Sequence, residues 1–181
     1  MKSNTTGAYN VAVGANALDA NTTGGSNTAF GTSSLGSNTT ASNNTAVGFS
    51  ALFANTTGTV NVAVGVDALA ANTTASNNTA VGWNSLNDNT TGGQNTAIGA
   101  LAMDQSTIAA NSVAVGYNAL GIATTGGGNV AVGKDAGDSI TTGYSNVCIG
   151  TNVNPSASAG VNQIVIGHDF NGIGNNNFTF G

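Results

Sequence analysis

The sequence predicts an all-β solenoid, one short strand per coil, and three observations predict it. Short apolar segments closed by Gly recur every 17 residues, beginning at Asn10, Asn27, Asn44, Asn61, Asn78, Asn95, Ser112, Asn129, Asn146 and Gln163. The intervals between them are rich in Asn, Thr and Gly, the residues of turns and corners. The apolar segments are too short for a helix, which is marginal below about 12–15 residues. Repetition at a short fixed period is the mark of coils that stack on their neighbours. Ten coils at about 4.8 Å give a rod roughly 45–50 Å long. An eleventh segment, 177–181, arrives after 14 residues instead of 17.

Taken in chain order, each coil opens on Asn, expected to form a ladder of side-chain amides along the stack. The strand follows, its side chains alternating between two faces. Its fourth row is purely apolar (Val13, Phe30, Val47, Val64, Val81, Ile98, Val115, Val132, Ile149, Ile166) and is expected to face the core. Its third row is Ala12, Ala29, Ala46, Ala63, Ala80, Ala97, Ala114, Ala131, Cys148 and Val165. Strands apolar on both faces are buried on both, so the row Ala12–Cys148 is expected to meet other chains in a homotrimer. Cys148 reads as a small buried hydrophobe of that row. The closing Gly allows a backbone conformation that other residues avoid. Beyond it lie a small residue (Ala17, Ser34, Ala51, Ala68) and a Leu row (Leu18, Leu35, Leu52, Leu69, Leu86, Met103, Leu120). Asn-Thr-Thr-Gly turns at 4–7, 21–24, 55–58 and 89–92 complete the coil.

Composition restricts the chemistry. The chain holds 28 Asn, 27 Gly and 25 Thr, against two Lys and seven Asp, with no Arg or Glu and a net charge of −5. Two cations cannot neutralise a phosphate backbone, which excludes nucleic-acid binding. No apolar run reaches the ~18 residues of a membrane span, and Met1-Lys2-Ser3-Asn4 lacks a signal-peptide core. His168, Cys148 and Lys134 each stand alone, whereas acid–base catalysis needs groups in mutual reach, so no enzyme is expected. Asp67, Asp135, Asp138 and Asp169 lack the nonapeptide spacing of calcium β-rolls, and no cofactor or metal is expected.

Residues 1–150 form the regular repeats. Residues 151–181 read as a tapering or junction region, because the Leu row gives way to Gly137, Asn154 and Asn171, and Pro155, Phe178 and Phe180 enter. The chain starts mid-coil and ends on a strand without a polar capping repeat, so a flanking fibre segment or capping protein is expected.

Asn111-Ser112-Val113-Ala114-Val115-Gly116 resembles the Asn-Ser-Val-Ala-Ile-Gly repeat of trimeric autotransporter adhesin heads. Similar Asn-Thr-Ala-Val-Gly and Asn-Thr-Thr-Gly repeats occur in bacteriophage tail fibres. The resemblance runs over nearly the whole chain. It implies a left-handed parallel β-roll, a homotrimer, and an extracellular, cell-surface or virion fibre working as spacer, scaffold or adhesin, with a cell-surface glycan or protein receptor as partner. Phe49, Trp83 and Tyr117, each 34 residues apart in the row after the strand Gly, are the candidate glycan contacts. The alternative is an ice-binding solenoid, since the Asn-x-Val-x-Gly coils of grass ice-binding proteins are similar. The adjacent Thr pairs (Thr22-Thr23, Thr56-Thr57, Thr90-Thr91) point oppositely in an extended segment, and Val11, Val62, Val113 and Val130 interrupt the strand Thr column.

Overall fold

A computed structural model describes residues 1–181 as a parallel β-solenoid of about ten turns with 17-residue coils and no helix. The strands are β1 (Val11–Val13), β2 (Thr28–Phe30), β3 (Thr45–Val47), β4 (Val62–Val64), β5 (Thr79–Val81), β6 (Thr96–Ile98), β7 (Val113–Val115), β8 (Val130–Val132), β9 (Val147–Ile149), β10 (Val153–Asn154), β11 (Ile164–Ile166), β12 (Phe170–Asn171) and β13 (Phe178–Phe180). Eleven of them form one sheet in chain order, and β10 pairs with β12 in a second, two-stranded sheet. Partners are residues of equal phase: Ala46 lies beside Ala63 and Ala63 beside Ala80. The last step is shorter, with Ile164 beside Phe178. Of 114 backbone hydrogen bonds, 21 join strand to strand and 93 involve at least one corner or turn residue. The corners and turns are therefore laddered from coil to coil as thoroughly as the sheet.

The two strand faces are the reverse of the expectation. The third row points inward: Ala29, Ala46, Ala63, Ala80, Ala97, Ala114, Ala131 and Cys148 are fully buried within the single chain, and half-buried Ala12 packs against the same core. The fourth row points outward, with Val13, Phe30, Ile98, Val132 and Ile149 exposed. The Ala row is thus spent on the coil's own interior and offers no side chain to another subunit. The physical reason is width. Where the wholly buried Leu row lies in the lumen it leaves space beneath the strand for methyl groups and not for Val or Ile, and Val165 enters the row only after the Leu row has ended.

Where the Leu row fails, volume moves. At Gly137 an added Cβ would sit 2.9 Å from Leu120 Cδ2 and 3.3 Å from Ile140 Cδ1. Ile140, at the turn position held by Asn from Asn4 to Asn89, lies in the lumen and is fully buried. The Leu side chains reach the lumen at a backbone cost, since Leu52, Leu69 and Leu86 have φ of 54°, 52° and 50°, a left-handed conformation disfavoured by about 1–2 kcal/mol per residue.

The Asn ladder is real but sits on the other Asn row. Turn residues Asn38, Asn55, Asn72 and Asn89 each donate Nδ2 to Oδ1 of the Asn one coil earlier, at 2.8–3.0 Å. The strand-opening Asn residues act mainly as braces, and the expected rung forms only at Asn146, whose Nδ2 donates to Asn129 Oδ1 at 3.2 Å. Asn44 Oδ1 accepts the Asn61 backbone N–H at 2.9 Å, and Asn44 Nδ2 crosses its own coil to the Gly58 carbonyl at 2.9 Å. Both rows are buried, and each bond satisfies a polar group that water cannot reach.

The turn ladder stops at Ser106, whose hydroxyl is too short to continue it. Asn89 Oδ1 and Ser106 Oγ are both buried without partners. Ser106→Asn is expected to restore the next rung and raise stability by about 1 kcal/mol, the net worth of one hydrogen bond. A thermal melt of the variant against the parent checks this, and an unchanged or lower midpoint contradicts it.

Candidate functional site

With Ala inside, the strand exterior becomes a two-column face along the whole rod. One column is Val11, Thr28, Thr45, Val62, Thr79, Thr96, Val113, Val130, Val147, Ile164 and Phe178; the other is the Val13–Ile166 row followed by Phe180. Every member is exposed or half-buried, and neither column contains a charged residue. Sequence reasoning missed this face because both strand rows are apolar. The signal that identifies it is parity: the buried Asn opening the strand and the Ala two residues later share a face.

Beyond the Gly corner runs the aromatic row. Phe49 is 53% exposed, Trp83 53% and Tyr117 49%, so no part of the chain's own fold seals them. They occupy alternate coils, about 10 Å apart, with Val66 and Ala100 between them. Lys134 continues the row. Its ammonium stands 5.9 Å from the Tyr117 ring centroid and pairs with Asp135. A hydrogen bond from Lys134, then one from Asn118, holds the Asp135 carboxyl below the usual carboxylate range. The carboxylates near the C-terminal end are engaged separately: Asp138 accepts from Asn154 Nδ2 at 2.8 Å and Asp169 from Asn152 Nδ2 at 2.9 Å.

The Thr turns form a third surface. From Thr22 onward the first Thr of each pair is half-buried and donates Oγ1 to the carbonyl of the residue one coil on, as Thr56 does to Thr73 at 3.0 Å. The second (Thr23, Thr40, Thr57, Thr74, Thr91) is exposed. Cys148 lies under the sheet, where burial pushes its thiol up to about 12, far from the range of a reactive thiolate. An open polar cleft of about 390 Å³ lies where β10 and β12 flank the shortened coil, lined among others by Asn152, Ser156, Ser158, Asp169 and Phe170.

No protein-family profile, curated protein or solved structure matches this chain.

Proposed function

We propose that the chain is a non-enzymatic segment of an extracellular, cell-surface or virion-borne fibre, built as a left-handed β-roll of adhesin-head or tail-fibre type. Chains lie side by side on their outer strand faces as a homotrimer, and the fibre serves as spacer or attaches to a surface receptor or glycan. The outer face carries this reading. It is uncharged over eleven strands and apolar except at Thr28, Thr45, Thr79 and Thr96, and largely apolar patches of several hundred Å² mark interaction sites. Its length of about 50 Å and breadth of about 10 Å give about 500 Å² per chain, so two apposed faces cover about 1,000 Å², the threshold of a specific interface.

Val64→Asp/Val81→Asp places two charges on that face. The parent protein is expected to sediment as a trimer, and the variant as a folded monomer with unchanged circular dichroism. A monomeric parent, or a variant that still associates, overturns the reading.

One observation favours ice binding as the second reading. Thr28, Thr45, Thr79 and Thr96 stand on the outer face two residues from Phe30, Val47, Val81 and Ile98, giving two stacked pairs of hydroxyls, separated by Val62, beside an apolar column. A fibre segment is expected to produce no thermal hysteresis. A freezing gap abolished by Thr79→Tyr selects the ice-binding reading instead.

A further inference from the structure

We infer that the row Phe49, Trp83, Tyr117 binds an extended β-1,4-linked polysaccharide, one ring to each disaccharide. This deepens the adhesive half of the fibre reading and rests on it. The rings are separated by two coils, about 10 Å, which is the length of one disaccharide in a fully extended β-1,4 chain. In such a chain each sugar is flipped relative to the last, so the same pyranose face recurs at every second residue. A row with one ring at every second coil matches that repeat in both length and orientation. The intervening Val66 and Ala100 are smaller than the rings and leave the alternate sugars room. Helical α-1,4 and β-1,3 glucans curve away from a straight row.

The scaffold keeps the match. Ring spacing is set by in-register backbone pairing along β3 to β7, so binding needs no ordering of the protein. The rings are half-exposed, which leaves ring surface for stacking on sugar C–H groups. At the end of the row the Lys134 ammonium, beside Tyr117, donates hydrogen bonds toward sugar hydroxyls. Reaching from Phe49 to Tyr117 takes two disaccharide steps, so only a ligand of about five sugars or more touches all three rings.

The test is calorimetry of the full chain with cello- and chito-oligosaccharides of two to six sugars, against maltohexaose and laminarihexaose. The β-1,4 hexamers are expected to bind at least tenfold more tightly than the dimers and than either helical glucan, and the cello and chito arms identify the sugar. Trp83→Ala is expected to lose at least tenfold for the hexamer. Trp83→Ala/Ala100→Trp keeps three rings but breaks their period, and is expected to bind no better than Trp83→Ala. Equal affinity for helical glucans, no hexamer binding, or full binding by the double variant overturns the inference. Binding of another glycan class that Trp83→Ala abolishes also overturns it while leaving the adhesive reading intact, and association through the outer face is decided by sedimentation alone.

Discussion

Replacing Ala63 with Asp is expected to unfold the solenoid around β4 rather than separate intact chains. Ala63 has no solvent exposure and lies between Ala46 and Ala80 in the inner row. An Asp there overfills a lumen sized for methyl groups and buries a carboxylate without a cation in reach, a cost of several kcal/mol. Repeat arrays are stable only through contacts between neighbouring repeats, so a failed coil divides the rod into two shorter stacks. A loss above about 4 kcal/mol, exceptional for one substitution, is expected as a large drop and broadening of the melting transition. Val64→Asp, one residue along and facing outward, is expected to keep the fold and to lower the transition far less, by no more than the loss of association between chains. Equal melting of the two variants would show the face assignment to be wrong.

Gly65→Ala is expected to be nearly as damaging although it adds one methyl group. Gly65 has a φ of +140°, and a Cβ built there collides with the carbonyl of Gly82 on the next coil. That carbonyl belongs to backbone fixed by the same corner in every coil, so relief requires the two coils to part. Conformational strain alone is worth about 1–3 kcal/mol, and the collision adds to it. Gly128→Ala is the control: its φ is +69° and the nearest atom, Ser145 Oγ, is 3.6 Å away. Asn77, Gln94 and Asn111 hold the same phase at φ of 63°, 62° and 60°. A loss below about 1 kcal/mol is expected there. Comparable losses at the two glycines would remove inter-coil collision as the reason for Gly at the corner.

Coil length and register are legible in the sequence, because a phase persists only if equal residues stack. Val11 meets Thr28 and Thr141 reaches Ser158 as the 17-residue period requires. The shortened step to Phe178 was equally plain. Which strand face is inner was not legible from polarity, since Ala63 and Val64 are both apolar and only lumen width separates them. The Asn rows were confused for a related reason. Both are buried, but a ladder requires side chains that superpose, whereas Asn44 leans across its coil to Gly58. Phe49, Trp83 and Tyr117 stood out by spacing alone, and the structure adds their exposure. The polar cleft depends on the meeting of β10 and β12, which no local pattern announces.

The hydrogen bonds joining coil to coil run along the rod, and this sets how it bears tension. A load applied at the two ends pulls on one coil's bonds at a time, so the terminal coil peels before its neighbour feels shear. Each coil contributes about 5 Å to the rod and, once peeled, about 60 Å of extended chain. Extension is therefore expected to proceed in steps, equal for the 17-residue coils and shorter for the 14-residue step to Phe178, while the remaining coils stay folded. The coils that remain folded present a template already in register, on which a peeled coil is expected to rewind once the load is removed.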